Sequence, residues 1–322
     1  MTKIDIISGF LGAGKTTLIN KLIREVYSQE QVVLIENEFG EIGVDSGFLQ
    51  GSGIQIREMN SGCICCSLVG DFEKSLKEVI ETYHPDRILI EPSGVGMLSD
   101  VIKAVKKLEN TQDICLNSYT TVVDVKKCKL YMKNFGEFFN DQIKSAGAII
   151  LSRTDKAAAE EITNCVDMIR KLNEKAPVIT TPIETLAGGV ITETMEQERS
   201  LEEELMEQTA CPVCGEQHHE HHHADEVFTS WGTETVKSYA KEELTPILES
   251  LDQSDLYGVV LRAKGIVKDT KGGWIHFDMV PGEYDVREGN ADYTGRICVI
   301  GSDLQEDKLK GLFDSEQKDG GK

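Results

Sequence analysis

The pattern Gly9-x-x-x-x-Gly14-Lys15-Thr16 limits what this chain can fold into more than any other feature of its sequence. It follows a short apolar run at residues 3–7 and precedes a stretch of helical periodicity at residues 18–27. Between a strand and a helix, this pattern is typical of a loop whose backbone N–H groups hold phosphate oxygens. The sequence therefore predicts an α/β domain with a phosphate-binding loop after its first strand.

The residue types in this loop suit a nucleoside triphosphate. Gly9, Gly12 and Gly14 let the backbone curl so that its N–H groups point inward, and the following helix adds the positive end of its dipole. Lys15 would bridge the β- and γ-phosphates, and the Thr16 hydroxyl would complete the coordination of Mg²⁺. The alternative is a glycine-rich turn that leaves Lys15 exposed to solvent.

A second apolar run, at residues 87–90, ends in the carboxylate of Glu91 and continues as Pro-Ser-Gly94. Glu91 would hold a metal-bound water or place the attacking water, and Gly94 offers a backbone N–H that a γ-phosphate could recruit. The segment after Glu91 is therefore a candidate switch. The alternative is that Glu91 caps a helix predicted at residues 97–108.

A third apolar run, at residues 148–151, leads into Ser152-Arg153-Thr154-Asp155. The Asp155 carboxylate could accept two hydrogen bonds from guanine, a pairing that adenine cannot make. The alternative is that Asp155 caps a helix starting at Lys156, and one residue could do both.

Apolar runs alternate with helical patterns, which predicts βαβ units and a mainly parallel sheet. Further strands are expected at residues 32–35, 54–57, 119–123 and 178–180, and further helices at 71–83, 101–108, 126–145 and 156–173. We assign residues 1–185 to this nucleotide domain and 186–226 to an acidic Cys/His-rich linker. In that linker Gly188-Gly189 should interrupt structure, and a short helix is expected at 197–208.

Residues 227–313 mix strand and helix patterns, which predicts a smaller α+β domain with an antiparallel sheet. Its strands are expected at 227–231, 257–267, 274–280 and 296–300, and its helices at 241–251 and 304–313. Residues 314–322 are assigned to a polar tail.

Three thiols within four residues, those of Cys63, Cys65 and Cys66, could converge on one soft metal ion. Zn²⁺ favours four ligands, so three cysteines leave one position open, which suits transfer better than storage. The alternatives are buried apolar cysteines or a reactive thiol at the start of the helix predicted at 71–83.

A second ligand-rich segment predicts metal capture that feeds this cluster. It consists of Cys211, Cys214, His218, His219, His221, His222 and His223. The alternative is a solvated linker whose metal affinity is incidental. The isolated Cys115, Cys128, Cys165 and Cys298 are interpreted as core or surface thiols.

Composition excludes several classes of partner and location. The chain has 34 Lys and Arg against 55 Asp and Glu, a net charge of −21 that disfavours binding to nucleic acid and to anionic membranes. We find no apolar run near the roughly 18 residues of a membrane span, and no signal peptide at the amino terminus. We therefore expect a cytoplasmic protein whose nine cysteines are thiols or metal ligands rather than disulfides.

Taken together, these motifs closely resemble the CobW family of P-loop GTPases, which is related to the urease and hydrogenase nickel-insertion GTPases. In the first domain the resemblance rests on residues 9–17, 36–41 (ENEFGE), 62–66 (GCICC) and 91–94 (EPSG). It extends into the second domain through residues 261–267, Trp274 and residues 296–301.

The resemblance implies a Mg²⁺-dependent GTPase that carries zinc or cobalt to a client metalloprotein or a corrinoid-pathway protein. It implies that Gly12, Ala13, Gly14, Lys15, Thr16 and Thr17 bind phosphates and Mg²⁺. It also implies that Cys63, Cys65 and Cys66 hold the metal, and that residues 36–41 form the first switch. Glu36 and Glu41 are candidate extra ligands.

One departure concerns the base site, because the family usually has Asn-Lys-x-Asp where this chain has Ser152-Arg153-Thr154-Asp155. The aliphatic part of Arg153 can cover the base as a lysine would, but the bracing Asn amide is lost. We therefore expect GTP to be preferred over ATP, with weaker guanine binding than in the family.

The order of motifs suggests that nucleotide state gates metal affinity, since the cysteine cluster lies between the two switches. Two rival functions are a P-loop ATPase or kinase acting on a small molecule, and a metal buffer with a vestigial NTPase. The second domain is expected to serve client binding or self-association.

Overall fold

The computed structural model describes residues 1–36, 55–58, 69–109, 111–196 and 229–314. The chain divides into two compact units, Met1–Glu198 and Arg199–Lys322. Several predicted features lie outside the described residues: the cysteine cluster, residues 37–41 of the first switch, the Cys/His-rich segment, the helix predicted at 197–208 and nearly all of the predicted tail.

The first unit contains a seven-stranded sheet in which every neighbouring pair of strands is parallel, in the order β3-β2-β4-β1-β5-β6-β7. Its strands are β1 Thr2–Gly9, β2 Val32–Glu36, β3 Gln55–Glu58, β4 Arg87–Glu91, β5 Ile114–Asp124, β6 Ala148–Ser152 and β7 Val178–Ile179. Its helices are α1 Lys15–Glu25, α2 Val69–Tyr83, α3 Leu98–Glu109, α4 Cys128–Asn134, α5 Gly136–Ser145, α6 Ala159–Arg170 and α7 Gly188–Met195.

The predicted α/β architecture with a mainly parallel sheet is confirmed. Strands β2 and β6 are short, apolar up to their last residue and buried at every position, as strands covered on both faces must be. Because all seven strands run the same way, the carboxyl ends of β1, β2, β4 and β6 lie along one edge of the sheet. That edge carries the candidate site residues Lys15, Thr16 and Glu91.

The single helix predicted at residues 126–145 is wrong, because the structure has two helices there. They are separated at Phe135, whose φ of −132° and ψ of 32° are not helical. The Phe135 ring packs on Phe10 of the phosphate loop, with ring centroids 5.1 Å apart. This contact and the glycine that follows favour a turn over a continuous helix.

The expectation that Gly188-Gly189 interrupts structure is also wrong, since α7 begins at Gly188. A Cβ at Gly188 would lie 2.8 Å from a methyl group of Val26, so only glycine lets α7 approach the end of α1 this closely. The Glu25 carboxylate accepts a hydrogen bond from the Gly188 amide at 3.1 Å. The segment predicted as a linker therefore begins with a packed helix.

The second unit has a six-stranded sheet, in the order β12-β11-β10-β13-β8, with β9 paired to β10. Its elements are β8 Thr229–Thr235, β9 Ser238–Tyr239, α8 Lys241–Gln253, β10 Val259–Asp269, β11 Trp274–Val280, β12 Glu283–Gly289, β13 Gly295–Ser302 and α9 Glu306–Asp314. All pairs are antiparallel except β9–β10. The predicted α+β class is confirmed, although β9 and β12 were not predicted.

The core of the second unit lies between one face of its sheet and the two helices. It contains Phe277 and Val267 from the sheet, Leu244 and Leu248 from α8, and Phe313 from α9, all buried. None of the helices in the described ranges combines the length and apolar character needed to span a membrane.

Candidate nucleotide site

The phosphate loop connects the end of β1 to the start of α1, as predicted. Gly12 and Gly14 have positive φ angles of 69° and 105°, which L side chains rarely adopt, and Gly14 directly precedes α1. Gly9 passes so close to β5 that a Cβ there would lie 2.5 Å from the Val122 carbonyl oxygen. The loop is therefore tightly wound, with the free amides of the first turn of α1 available to an anion.

Lys15, Thr16 and Glu91, predicted from two separate motifs, meet at this loop. The Lys15 Nζ lies 3.6 Å from a Glu91 oxygen, and the Thr16 hydroxyl lies 3.5 Å from the other. They meet because β4 is the parallel neighbour of β1, so Glu91 ends its strand beside the loop. Lys15 is only 8% exposed, which contradicts the alternative of a solvent-exposed lysine in an ordinary turn.

The other predicted loop residues have distinct environments. Ala13 is buried, and its amide donates to the Phe10 carbonyl at 3.1 Å, so this N–H serves the loop itself. Thr17 is exposed on the first turn of α1. Gly94 lies against the loop, since a Cβ there would be 2.9 Å from the backbone nitrogen of Leu11.

The alternatives in which Glu91 and Asp155 cap the helices that follow them find no support among the described contacts. At the start of α3, the Ser99 amide donates to Asp141 at 3.1 Å. The helix after Asp155 begins at Ala159 rather than Lys156, and the Ala158 amide donates to Glu161 at 2.9 Å. Asp155 instead lies exposed in a 3₁₀ turn, Thr154–Lys156, after β6.

Arg153 links the base segment to the phosphate loop. Its backbone is in the left-handed region, with φ 61°, and its guanidinium donates to the Gly12 carbonyl at 3.1 Å. A second guanidinium nitrogen lies 2.7 Å from the buried carboxylate of Asp124 at the end of β5. Sequence reasoning missed Asp124, although it follows the same signal as Glu91, an apolar strand that ends in a carboxylate.

Ser152 occupies the position where the family usually has Asn. It is 7% exposed, and its Cβ would be 3.7 Å from a Cβ built on Gly14. Its hydroxyl lies 3.5 Å from the Val123 carbonyl oxygen of the neighbouring strand. The serine thus lies beside the phosphate loop with a side chain too short to brace it as an asparagine amide would.

The first switch starts at the same edge. Glu36, the last residue of β2, is opposite Glu91 in the parallel ladder and is buried. Glu58, the last residue of β3, is opposite Glu36. The carboxyl ends of β2 and β3 therefore lie on the same edge of the sheet as Glu91.

The isolated cysteines lie as predicted for core or surface thiols, with Cys128, Cys165 and Cys298 buried and Cys115 partly exposed. The hydrogen bond with Cys128, together with burial, raises the pKa of the Cys165 thiol. It therefore stays protonated at neutral pH. Across the described ranges, no three His, Cys, Asp or Glu side chains are grouped so as to hold a metal ion.

Comparison with known families matches both units. A family model described as the CobW/HypB/UreG nucleotide-binding domain matches residues 3–180, and one described as the cobalamin synthesis protein cobW C-terminal domain matches residues 228–316.

Three curated relatives illustrate the sequence similarity. A zinc chaperone CobW from a Sinorhizobium species is 31% identical over 58% of this chain and 59% of its own length. The zinc chaperone YeiR of Escherichia coli is 31% identical over 50% of this chain and 49% of its own. A zinc-regulated GTPase metalloprotein activator 1 from Schizosaccharomyces pombe is 30% identical over 55% of this chain and 45% of its own length. The chain thus spans about half the length of the curated relatives it matches.

Among solved structures, the Zn(II)-bound YjiA GTPase of Escherichia coli aligns with 98% of this chain and 99% of its own, at 22% identity and a TM-score of 0.47. The hydrogenase maturation factor HypB of Archaeoglobus fulgidus aligns with 60% of this chain and 87% of its own, at 16% identity and a TM-score of 0.44.

Proposed function

Because the chain belongs to the CobW/HypB/UreG family, we propose that it is a cytoplasmic, Mg²⁺-dependent GTPase that carries zinc, or cobalt, to a client metalloprotein or a corrinoid-pathway protein. The observation that carries the proposal is the convergence of Lys15, Thr16 and Glu91 at one phosphate loop. A buried ammonium, a hydroxyl and a carboxylate side by side are what a triphosphate and its metal ion require.

The residues present fit Mg²⁺, because this ion prefers oxygen ligands and the Thr16 and Glu91 oxygens lie 3.5 Å apart. When bound, the ion would neutralise charge on the β- and γ-phosphates. On binding of the triphosphate, the Lys15 ammonium exchanges Glu91 for phosphate oxygens. The Glu91 carboxylate can then accept a hydrogen bond from water, whose oxygen bonds to the γ-phosphorus as the bond to the β,γ-bridging oxygen breaks. The diphosphate leaves with the electron pair of that bond, and the water proton passes to a phosphate oxygen.

Guanine specificity is assigned to Asp155 and Arg153. The exposed Asp155 carboxylate is free of a capping role for α6, and it can accept hydrogen bonds from the guanine N1–H and N2–H₂ groups. Arg153 is held by contacts with Gly12 and Asp124, so its aliphatic stem is positioned beside the loop even though the side chain is exposed. This arrangement supports GTP over ATP.

Replacing Ser152 with Asn is expected to raise guanine nucleotide affinity about 10-fold, because one braced amide hydrogen bond contributes on this scale. Ser152 lies next to Gly14, so a longer amide side chain can reach the loop. Titration of fluorescent GDP and ADP would measure the change. Ser152→Ala is the control and should show no gain; an Asn variant with unchanged GDP affinity would contradict the assigned role of this position.

The metal cargo is assigned to Cys63, Cys65 and Cys66, whose thiolates suit Zn²⁺ or Co²⁺. Glu36 and Glu41 are proposed as candidate additional ligands. Only four residues separate Cys63 from Glu58, the end of β3, so Cys63 can be no more than roughly 18 Å of extended chain from the end of that strand. The Cys/His-rich segment from Cys211 to His223 is proposed to capture metal for this cluster.

The test combines metal analysis with nucleotide binding. Protein purified without a tag should bind one Zn²⁺ or Co²⁺ at the cluster, and the ion should change affinity for a GTP analogue by about 5- to 150-fold, the range of typical linked sites. Replacing all three cysteines with Ser should remove that ion and the coupling.

Cys115→Ser is the matched control, because it removes a partly exposed thiol elsewhere in the domain. If the triple variant keeps both metal content and turnover, the cargo site is wrong. If ATP is hydrolysed faster than GTP, the rival assignment as a small-molecule ATPase or kinase replaces this one.

A further inference from the structure

Gln142, on α5, is a buried glutamine that holds the segment after Glu91. It is 0% exposed, and its Nε2 donates to the carbonyl oxygens of Gly94 at 3.1 Å and Gly96 at 2.9 Å. Both partners are acceptors, so only the NH₂ group can face them, and the orientation of the amide is unambiguous.

The same helix also holds the far end of this segment. The carboxylate of Asp141, next to Gln142, accepts a hydrogen bond from the Ser99 amide at 3.1 Å. Consecutive residues of α5 therefore fix the loop between β4 and α3 at two places. Within the loop, the Gly96 amide donates to the Ser93 carbonyl at 2.8 Å, which closes a turn.

On its other side the segment touches the phosphate loop. A Cβ on Gly94 would lie 2.9 Å from the Leu11 backbone nitrogen, so the Gly94 backbone rests directly on the loop. Gly94 is thus held between Leu11 and the Gln142 amide. Bonds to two carbonyls two residues apart restrict rotation of the peptide groups here, and the Gly94 N–H is the group expected to meet a γ-phosphate.

The choice of Gln at this position is not explained by packing. Its Oε1 is buried and accepts no hydrogen bond from any residue in the part of the chain that the structure describes. An apolar side chain of similar size would fill the site without burying that acceptor. The two donated hydrogen bonds are therefore the reason for a glutamine here.

We propose that Gln142 is a positioning residue for the triphosphate: it keeps the Gly94–Gly96 segment against the phosphate loop and thereby favours triphosphate over diphosphate. The proposal rests on the nucleotide binding proposed above. A diphosphate lacks the γ-phosphate that Gly94 would meet, so only triphosphate affinity depends on the position of this segment.

The test compares Gln142→Leu with wild type by measuring affinity for GDP and for a non-hydrolysable GTP analogue. The ratio of analogue affinity to GDP affinity should fall about 10-fold, the scale of one hydrogen bond to a charged group. Asn173→Leu is the matched control: its Nδ2 also donates to two carbonyls, those of Ile143 and Ala146, both at 2.9 Å, but these lie after Gln142 at the carboxyl end of α5 and not in the Gly94–Gly96 segment. Both variants should unfold at lower temperature, and only Gln142→Leu should change the ratio.

Gln142→Glu adds a readout that a purely structural role would not move. A carboxylic acid can donate one of the two hydrogen bonds and a carboxylate cannot, while burial beside two carbonyl oxygens favours the protonated form. The affinity ratio of this variant should therefore recover toward wild type as pH falls from about 8 to about 6, while that of Gln142→Leu should stay low.

An unchanged ratio in Gln142→Leu, or an equal loss in Asn173→Leu, would overturn the proposal. Equal binding of the GTP analogue and GDP by wild type would overturn it as well. Absence of zinc binding or of GTP turnover in wild type would instead overturn the proposed function. The ratio of analogue affinity to GDP affinity is measured without zinc and without turnover, so the two failures can be told apart.

Discussion

Replacing Lys15 with Ala is expected to lower GTP turnover about 10³-fold, the largest loss we expect from a single substitution. Lys15 is buried beside Glu91, and its ammonium is the only charge of the phosphate loop, residues 9–16. Without it, charge that builds up on the phosphates in the transition state is stabilised by backbone amides alone. Steady-state phosphate release and titration of a GTP analogue would measure the loss.

The matched control for Lys15→Ala is Lys21→Ala on the same helix. Lys21 forms an ion pair with Glu25 at 2.8 Å, one to two turns beyond the phosphate loop. We expect the control to keep turnover within about twofold, because this pair lies beyond the phosphate loop and i,i+4 pairs on a helix contribute little. A Lys15→Ala protein that still hydrolysed GTP at a tenth of the wild-type rate would contradict the assignment. One that lost turnover but still delivered metal normally would favour a metal buffer.

The order of the elements in the first unit could be predicted because each apolar run is bounded by turn residues or by a helical pattern. The break at Phe135 could not, because residues 126–145 keep helical periodicity across it. What ends α4 there is a ring contact with Phe10, which is more than a hundred residues away in sequence. Tertiary packing of this kind overrides local preference and leaves no local signal.

At two other places the structure differs from the sequence prediction because local sequence patterns do not show how an element packs. Gly188 reads locally as a helix breaker, yet its missing side chain is what admits α7 beside Val26. The strand β12 was missed because it lies at the edge of its sheet with a single buried residue, Val286, and so shows no alternation of apolar and polar residues.

Some residues of the candidate site could likewise be predicted from the sequence, and others could not. Lys15, Thr16 and Glu91 could be predicted because the carboxyl ends of parallel strands share one edge, so motifs that end neighbouring strands must meet. Gln142 could not, since nothing distinguishes a glutamine in the middle of a helix until its contacts are known. Sequence patterns thus identify groups that touch the ligand more readily than groups that position them.

Replacing Glu91 with Gln is expected to lower GTP turnover about 10²-fold while leaving GDP affinity nearly unchanged, because the carboxylate acts on water and the metal ion rather than on the diphosphate. Gln keeps the size of the side chain and can still accept a hydrogen bond from Thr16, which lies 3.5 Å away. What it removes is the negative charge beside Lys15. Single-turnover hydrolysis with saturating GTP, measured across a Mg²⁺ titration, would separate loss of chemistry from loss of nucleotide.

Glu30→Gln is the matched control, because it removes a carboxylate that contacts the opposite end of β4. Glu30 pairs with Arg87, the first residue of β4, at 2.6 Å, whereas Glu91 is the last. The control should lower stability without lowering turnover. Combining Glu91→Gln with Lys15→Ala should cost much less than the product of the two single losses, since both residues serve one step. Losses that multiply would mean that the two residues act independently, and their assignment to one step would then be wrong.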